Sequence, residues 1–513
     1  MKRKMVLGIG IMVLIAGIAA AQDGGKDKAA AKKKAAAPVR QEDVKLPPWQ
    51  KPDLPAFPGA EGFGAASKGG RGGRVIKVTN LNPSGPGTLA EACAASGPRI
   101  VVFDVSGVID VGKRLHIGSG QITIAGQTAP GAGITLDGAL SCGGPYRKDL
   151  KGKRTTDVIV RFLRIRASRG GDGIGFVFTR RYILDHLSVS WGTDENMGLS
   201  TCDNFTVQWC ANEESECGRG GVIKYRVGDG PLFRGGGNSP HNYGMICGYV
   251  PEGNVTLHHN LWAHHNRRTP LCGIELLDHR NNVIYNVKEG IMFHPAKMNK
   301  SRPNQLFAAN IIGNYFKPGP SCPKDGRKGL PRKVGGGRCM VAESGGHVYA
   351  EGNYFGVANK VVDVWNERCK GVSMRKCAKA DRPWPAPQVI TQTAEDAYAS
   401  VLAHAGCLPR DAIGKRIVDE VKTGKGSWGR KEIKGGLMAG LTPGKAPKDS
   451  DGDGMPDAWE TAHKLNPSDA KDANTIVPAG ASKDDRHKGY TYIEYYINEC
   501  ADTLIEKAIA AGQ

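Results

Sequence analysis

The chain has 513 residues, 40% of them hydrophobic and 23% charged, which suits a large packed domain with a smaller one and excludes global disorder. Its 71 glycines show no strict Gly-X-Y spacing, so collagen is excluded and many tight turns between short strands are favoured. A net charge of +20 favours an anionic partner, namely nucleic acid, anionic lipid or an acidic polymer, although a solvated basic surface also explains it.

The N-terminus has the three parts of a secretory signal peptide. Basic residues at positions 2–4 precede an apolar run, and the cleavage pattern Ala19-x-Ala21 follows it. We therefore predict a signal peptide at 1–21 and a secreted, periplasmic or extracellular protein, which makes an acidic polysaccharide a better partner than nucleic acid. An uncleaved anchor is the alternative, but the run is short for a spanning helix of about 20 residues.

Residues 22–52 are rich in Lys, Ala and Pro, and this composition predicts a flexible basic tether. A short helix is the alternative for its Ala/Lys part. The whole chain has 13 cysteines, an odd number, so at least one is unpaired in a monomer. No CxxC pair occurs, which argues against a thiolate zinc site, and both local disulfides and buried free thiols stay open.

Short strand-like runs recur from about 55 to 360, for example IVVFDVSGVI (100–109), DVIVRFLRIR (157–166) and NVTLHHNLW (254–262). Several of these runs lie about 22–28 residues apart, and no helical periodicity separates them, so a βαβ sheet does not fit. The spacing predicts an all-β solenoid over 53–365, in which each coil buries its face on its neighbours. A β-sandwich is the alternative, but its Asn-Gly or Asp-Gly hairpin turns are few here.

The segment 366–445 is predicted to be a helical and loop extension of the solenoid. Apolar residues recur at helical spacing along 395–422, among them Val401, Leu402 and Ile417. We expect a pair of helices there that packs on the end or the side of the solenoid.

The tail at 446–513 contains DSDGDGMPDAWE, which has the spacing of an EF-hand calcium loop with glycine at its sixth position. The acidic residues at loop positions 1, 3, 5, 9 and 12 are Asp449, Asp451, Asp453, Asp457 and Glu460. The segment before the loop is not helical, so we expect half an EF-hand that binds a structural calcium ion. A solvated acidic turn is the alternative. A second ion is a further option at Asp469, Asp472 and Asn474.

Several separated motifs occur in order between about 55 and 300: FPGAEGFG, ITIAGQTAPGAGITLDG, ILDHLSVSWGTDE and HHNLWAHHNRRTP. Together they resemble the bacterial pectate lyases of polysaccharide lyase family one, and the tail is similar to the calcium-loop tail of environmental members. The resemblance implies a right-handed parallel β-helix. It also implies calcium-dependent β-elimination of polygalacturonate, the acidic polymer of pectin, to unsaturated oligogalacturonates.

In this family the catalytic base is an arginine in an Asn-x-Arg-x-Pro motif, which Asn266, Arg268 and Pro270 match here. The resemblance therefore implies that Arg268 removes the proton from C5 of a uronate. Arginine normally stays charged, with a pKa above about 12, so this role needs a transient neutral fraction. Alternatively Arg268 only stabilises charge while hydroxide takes the proton, or it forms a simple surface ion pair.

The substrate-binding residues of the family are matched only in part. We expect Arg267, next to the base, to face outward as a partner of the substrate. The second arginine of the family falls on Gly273 here, and His241 is the nearest counterpart of its substrate-binding lysine. A hydrogen-bonded structural role for His241 is an equal alternative.

The resemblance also implies a catalytic calcium ion. Asp172 in GGDGIGF matches one ligand of the family, while Asp194 and Glu195 in WGTDENMG are the best counterparts of its later acidic pair. We expect Asp185 and His186 to be internal hydrogen-bonding groups that shape a coil. A zinc site is a weaker alternative for the paired histidines His258, His259, His264 and His265.

Other function classes stay open at this point. A β-helical polygalacturonase would hydrolyse with two carboxylates about 6.5–9.5 Å apart. A non-catalytic polysaccharide-binding solenoid would not depend on Arg268. We expect a monomer with no nucleic-acid partner and no stable membrane span.

Overall fold

Short strands dominate the computed structural model, which describes residues 41–43, 46, 49, 51–144, 154–167, 169–216, 241–248, 253–295, 307–322, 338–342, 346–374, 377–431 and 433–512. The predicted signal peptide lies outside these residues. The strands are β1 (Arg74–Val78), β2 (Arg99–Phe103), β3 (Gly107–Ile117), β4 (Ile122–Ala125), β5 (Ile134–Gly143), β6 (Thr155–Arg161), β7 (Leu163–Arg166), β8 (Ile174–Val177), β9 (Thr179–Asp185), β10 (Ser188–Ser190), β11 (Glu195–Ser200), β12 (Asp203–Gln208), β13 (Ala211–Glu213), β14 (Tyr243–Gly248), β15 (Asn254–His258), β16 (Leu261–Ala263), β17 (Leu271–Cys272), β18 (Leu276–Arg280), β19 (Val283–Tyr285), β20 (Glu289–Phe293), β21 (Phe307–Ile312), β22 (Tyr315–Lys317), β23 (Arg338–Ala342), β24 (Gly346–Glu351), β25 (Tyr354–Phe355), β26 (Lys360–Val361), β27 (Val372–Ser373) and β28 (Ala378–Lys379).

Among the described residues, the helices are few and lie mostly in the C-terminal third. The α-helices are α1 (Leu89–Ala94), α2 (Ala394–His404), α3 (Ala412–Thr423), α4 (Asp457–Ala462) and α5 (Tyr492–Ala510). The 3₁₀ turns are Gln41–Asp43, Phe63–Ala66, Gly126–Thr128, Gly436–Met438, Asp472–Asn474 and Lys483–Asp485. Within the described ranges, no helix has both the length and the apolar character that crossing a membrane requires.

The strands stack into three parallel ladders. The first ladder is an 11-stranded sheet in the order β1-β2-β4-β6-β9-β12-β15-β18-β21-β24-β28. The second ladder runs through β7, β10, β13, β16, β19, β22 and β25, and the third through β8, β11, β14, β17, β20, β23 and β27; the long strand β5 joins the two. Because the chain visits the three ladders in turn, it forms a coil, and the predicted parallel β-helix is confirmed.

The core fills the inside of the coils, because equivalent positions of successive strands point inward together. Tyr182, Phe205, Val255 and Leu277 are register partners in the first ladder, and each is fully buried. In-register stacking places such side chains about 4.8 Å apart, so each apolar side chain packs on the next. This explains the recurring short apolar runs of the sequence. The twelve cysteines that the structure describes are all free thiols, most of them buried.

The first His-His-Asn of the chain forms a corner between the first and second ladders. His259 has a left-handed φ of 53°, and its ring stacks on that of Trp209 with the centroids 4.3 Å apart. The Asn260 Nδ2 donates a hydrogen bond of 2.9 Å to Asn282 Oδ1 in the next coil. Burial lowers the pKa of His259 to about 4, so this imidazole is neutral and structural.

The second His-His-Asn forms the next corner. His265 Nδ1 lies 2.6 Å from Ser215 Oγ, and its Nε2 lies 2.9 Å from the Asn212 carbonyl oxygen. His264 Nε2 lies 2.9 Å from Glu420 Oε2. No group of metal-ligating side chains among the described residues includes a histidine, so the zinc alternative gains no support.

Asp185 and His186 are internal groups, as predicted. Arg161 Nε donates a 2.7 Å hydrogen bond to Asp185 Oδ2, and His186 Nδ1 lies 3.0 Å from Asp185 Oδ1. Both Asp185 and His186 are buried at a corner of the first ladder. They therefore hold a coil together and lie away from the surface.

The predicted helix pair is α2 and α3, and it packs on the side of the solenoid. Val401 of α2 and Ile417 of α3 are buried against Leu261, Val283 and Tyr285 on the outer face of the second ladder. The short strands β27 and β28 continue the ladders within the segment 366–445.

Glu420 anchors α3 to the solenoid, and its replacement by glutamine should make stability depend differently on pH. Burial raises the pKa of Glu420, but contacts with His264, Lys431 and Arg416 outweigh it and lower the pKa from 4.5 to about 2. A carboxylate with a lowered pKa stabilises the fold above about pH 4.5, and this contribution disappears as the pH falls toward 2. We expect Glu420→Gln to lower the free energy of unfolding by about 2–3 kcal/mol at pH 7 and by little near pH 2.

Denaturant unfolding at a series of pH values checks this expectation. The exposed Glu506→Gln on α5 is the control and should change the free energy by less than about 0.5 kcal/mol. A Glu420→Gln deficit that stays constant from pH 7 to pH 2 contradicts the proposed ion pairs.

The N- and C-terminal segments cover the outer face of the first ladder. Ile493 of α5 is buried with Ile100 and Val102 of β2, and Trp384 is buried with Leu276 and Ala308 further along the ladder. The described part of the predicted tether also contacts this face, since the Trp49 ring lies 6.3 Å from that of Phe63. Among the described residues, these segments and the helix pair pack on the first and second ladders, and the third ladder carries the charged cluster described next.

Candidate functional site

A cluster of charged residues lies where successive coils enter the third ladder. Asp172 precedes β8, Glu195 begins β11, Tyr243 begins β14, and Arg267 pairs with Tyr243 as an isolated bridge. Glu195 and Tyr243 are register partners, and the Glu195 backbone N–H donates a 3.3 Å hydrogen bond to Asp172 Oδ1. Residues far apart in sequence are therefore neighbours because they occupy the same point of stacked coils.

Three predicted calcium ligands meet in this cluster. Asp172, Asp194 and Glu195 each offer a carboxylate oxygen, and the three oxygens lie within 4.8 Å of one another. Glu195 is only 4% exposed. Burial, together with the charges of Asp194 and Asp172, raises the pKa of Glu195 to about 8 although Arg268 opposes this shift. The crowding of acidic groups therefore carries an electrostatic cost, which a bound cation would remove.

Arg268 points into the same cluster. Its Nη1 donates to Glu195 Oε1, and its guanidinium lies over the Tyr243 ring, 4.1 Å from the centroid. The structure thus brings the predicted base together with the predicted calcium ligands. Tyr243 holds the guanidinium from the other side by a cation–π contact, which orients it without neutralising it.

Arg267 and His241 flank the cluster. Arg267 Nε donates a 2.6 Å hydrogen bond to Glu289 Oε2, one coil further on, and its side chain is 38% exposed. His241 Nδ1 lies 2.6 Å from Asp194 Oδ1, and its side chain is 40% exposed. Arg267 and Arg268 therefore contact different coils, Arg267 through Glu289 and Arg268 through Glu195.

Sequence reasoning missed three residues of this site, namely Tyr243, Glu289 and Gly198. An ideal Cβ at position 198 would lie 2.0 Å from Asp172 Oδ2, so the absence of a side chain there makes room for the carboxylate. Aligning the coils by register would have revealed Tyr243 and Glu289, since both begin strands of the third ladder.

The C-terminal calcium loop differs from its prediction at one ligand. Asp457 is turned away from the other acidic residues, because its Oδ1 accepts a 2.7 Å hydrogen bond from the Ser450 N–H and its Oδ2 lies 2.7 Å from Lys448 Nζ. Asp472, which the sequence suggested for a second ion, joins Asp453 and Glu460 instead, with ligand oxygens within 4.8 Å of one another. The spacing of acidic residues within the loop could not predict this contact, because it depends on the turn after α4 that places Asp472 next to Asp453 and Glu460.

Comparison with known proteins decides the family. The chain is 34% identical over 466 residues to the probable pectate lyase C of Aspergillus terreus, which covers 87% of this chain and 94% of the relative. It is also 34% identical over 463 residues to the probable pectate lyase C of Emericella nidulans, covering 87% and 92%. The chain belongs to the pectate lyase family. The prediction that it is an enzyme of the polysaccharide lyase class is thereby confirmed.

Solved pectate lyases are also similar to this pectate lyase family member. A pectate lyase from Bacillus sp. N165 in complex with trigalacturonate matches with a TM-score of 0.40 and 15% identity, covering 68% of this chain and 98% of that one. Pectate lyase C from Erwinia chrysanthemi, at pH 9.5 with 30 mM Ca²⁺, matches with a TM-score of 0.39 and 13% identity, covering 69% and 97%. No protein-family model matches the chain.

Proposed function

We propose that this protein is a secreted, calcium-dependent pectate lyase of the bacterial polysaccharide lyase family one. It would cleave polygalacturonate, the acidic polymer of pectin, by β-elimination to unsaturated oligogalacturonates. The observation that carries the proposal is the meeting of Asp172, Asp194, Glu195 and Arg268 at one point of the third ladder. Three carboxylates that can hold a cation lie beside a guanidinium. This arrangement would bind a substrate that carries a carboxylate, because the cation would attract that carboxylate.

The donor set fits calcium. Calcium prefers several carboxylate oxygens in an adaptable arrangement, and Asp172, Asp194 and Glu195 supply three around one space. These residues would hold the ion. When bound, it would supply a positive charge that attracts the substrate carboxylate and stabilises the negative charge developing beside C5.

The other residues of the site have separate roles in the proposed elimination. In a transient neutral form, Arg268 takes the proton from C5, the C5–H electron pair forms the C4–C5 double bond, the C4–O bond breaks, and the leaving oxygen gains a proton from solvent. The protonated guanidinium then gives its extra proton to solvent before the next cycle. Tyr243 and Glu195 orient the Arg268 guanidinium from two sides. Arg267 and His241, both partly exposed beside the cluster, would bind substrate carboxylates.

The domain organisation completes the proposal. A signal peptide at 1–21 would direct export of the chain, and residues 22–52 would form a flexible tether before the lyase domain. The lyase domain at 53–365 would act on pectin, and the protein would be a monomer. The extension at 366–445 packs α2 and α3 on that domain. The first residue of the exported protein, which we expect to be Gln22, is accessible to N-terminal sequencing.

Product analysis tests the proposed activity. The secreted protein is incubated with polygalacturonate with and without a calcium chelator, and absorbance near the ultraviolet edge is followed. Elimination creates a conjugated double bond, whereas hydrolysis by a polygalacturonase and simple binding create none. Chain shortening without a rise in absorbance, or no shortening at all, would replace the proposal with one of these alternatives.

A single methyl group at position 198 should weaken calcium binding without unfolding the coil. In Gly198→Ala the new Cβ displaces the Asp172 carboxylate, which is the far end of a flexible side chain and moves at little cost in stability. We expect the calcium concentration that half-saturates the activity to rise by about 10–100-fold, with little change in thermal stability.

The matched control is Gly175→Ala. Gly175 is the register partner of Gly198 one coil earlier, and a Cβ there meets nothing within 4 Å. Equal effects of the two substitutions on the calcium requirement would show that Asp172 is not the group displaced.

A further inference from the structure

The acidic groups of the C-terminal tail form one cluster across two turns of the chain. Ligand oxygens of Asp449, Asp451 and Asp453 lie within 4.8 Å of one another, and so do those of Asp453, Glu460 and Asp472. Asp453 belongs to both sets. The cluster therefore contains five carboxylates, four from the loop and α4 and one from the turn Asp472–Asn474.

Several carboxylate oxygens of this cluster are buried and have no hydrogen-bond partner among the described residues. Glu460 is fully buried, and neither of its carboxylate oxygens has a hydrogen-bond partner within the part of the chain that the structure describes. Asp451 Oδ2, Asp453 Oδ2 and Asp472 Oδ1 are likewise buried and unpartnered. Buried polar atoms are nearly always satisfied, and an unpaired buried carboxylate is strongly unfavourable.

The cluster is built against the first strands of the solenoid. Lys77 Nζ in β1 lies 2.8 Å from Asp449 Oδ2, and Asn474 Nδ2 donates a 3.3 Å hydrogen bond to the Gly73 carbonyl oxygen. Gly454, with a φ of 94°, lies so close to β1 that an ideal Cβ would be 2.8 Å from Val75. The geometry of the loop and the position of β1 are therefore linked.

We propose that Asp449, Asp451, Asp453, Glu460 and Asp472 bind one divalent cation of the calcium type, and that this ion fastens the C-terminal tail onto the first coil. Several carboxylates in an all-protein cage suit calcium better than magnesium, which keeps its waters. The fifth ligand comes from Asp472 after α4, so the site is distinct from an EF-hand loop, whose spacing assigns Asp457. The site is also independent of the proposed chemistry at the third ladder.

The contact of the tail with β1 matters because β1 is the terminal strand of its ladder and, among the described strands, pairs only with β2. Terminal repeats of a solenoid lack a neighbour on one side and need other contacts for stability. The tail supplies them, since Met455 and Ile493 pack with Val75 and Val102. Without the ion, repulsion among the carboxylates would open the loop and weaken this contact.

Calcium titration with a matched pair of variants tests the site. The parent protein for the titration carries Asp172→Asn and Glu195→Gln, which removes the ligands proposed at the third ladder. We expect this parent to bind one calcium ion by calorimetry. Adding Asp472→Asn should weaken binding by about tenfold or more, whereas adding Asp457→Asn should leave it nearly unchanged.

Hydrogen–deuterium exchange tests the fastening. Calcium should slow the exchange of β1 (residues 74–78) and of residues 449–475 in the parent and in Asp457→Asn, but not in Asp472→Asn. Without calcium, Asp472→Asn should exchange no faster than the parent, because the substitution relieves repulsion; faster exchange would show a merely structural aspartate. Glu460→Gln is the second variant and should behave as Asp472→Asn does.

Three further results overturn the inference. The first is a parent protein that binds no calcium at millimolar concentration. The second is loss of binding in Asp457→Asn but not in Asp472→Asn, which would restore the EF-hand spacing. The third is calcium binding that leaves the exchange of β1 unchanged, which would separate the ion from the fastening. None of these depends on whether polygalacturonate is cleaved.

Discussion

Arg268→Ala is expected to lower kcat for polygalacturonate cleavage by at least about 10²–10⁴-fold, the usual contribution of a general base. The C5 proton is a weak acid, and Arg268 contacts the proposed calcium ligand Glu195 from two coils further along the third ladder. Removing its side chain leaves the ladder intact, because the guanidinium lies outside the core and is partly exposed. Initial rates of ultraviolet absorbance and circular dichroism of the same samples measure both expectations.

A second substitution of Arg268 separates the roles open to it. Arg268→Lys keeps a positive charge but loses the planar guanidinium that stacks on Tyr243. If Arg268 only stabilises charge, the lysine variant should retain a substantial part of the activity. If it is the base, that variant should show a different pH profile, since lysine loses its proton more readily than arginine.

Arg267→Ala is the matched neighbour. Arg267 contacts Glu289 and not the acidic cluster, so its loss should raise KM more than it lowers kcat. Equal losses of kcat in Arg267→Ala and Arg268→Ala would contradict a special role for Arg268.

Much of the candidate site is predictable from sequence because a solenoid turns sequence repeats into spatial neighbours. Asp172, Glu195 and Arg268 each come shortly before or at the start of a short strand-like run, so equal positions in their coils bring them together. The contact of Arg268 with Tyr243 could not be predicted in the same way. It depends on which rotamer the guanidinium adopts over its neighbour.

The paired histidines show where sequence reasoning was least informative. Four histidines between 258 and 265 suggest chemistry, yet they occupy two corners of one coil and are buried. The backbone is left-handed at His259 and His264. The ring of His259 stacks on Trp209, and the ring of His264 contacts Tyr285 edge-on, so both histidines pack against adjacent coils. The sequence alone cannot distinguish such a corner from a metal site, because paired histidines occur in both.

The calcium loop of the tail shows a different limit. Spacing correctly predicted that Asp449, Asp451 and Asp453 lie together, since those positions are local. It failed for Asp457, whose carboxylate is bound by Ser450 and Lys448. The replacement by Asp472 depends on how the chain turns after α4, and no local pattern encodes that turn.

Removal of calcium is expected to abolish cleavage, and Glu195→Gln to raise the calcium requirement steeply. Glu195 is the most buried of the three proposed ligands and also contacts Arg268, so its loss removes a ligand and releases the guanidinium. We expect chelation to lower the rate by about 10²-fold or more, and Glu195→Gln to raise the half-saturating calcium concentration by about 10–100-fold. Rates at a series of buffered calcium concentrations measure both.

Glu289→Gln is the control that makes this result specific. Glu289 is a nearly buried glutamate of the same ladder, but it contacts Arg267 and lies outside the calcium cluster. Its loss should therefore leave the half-saturating calcium concentration unchanged while altering KM through Arg267. Equal shifts of the calcium requirement in both variants would mean that general loss of negative charge, rather than ligation by Glu195, sets it. Full activity in the presence of a chelator would show that the acidic cluster serves another purpose, because the elimination would then proceed without a cation to stabilise the substrate carboxylate.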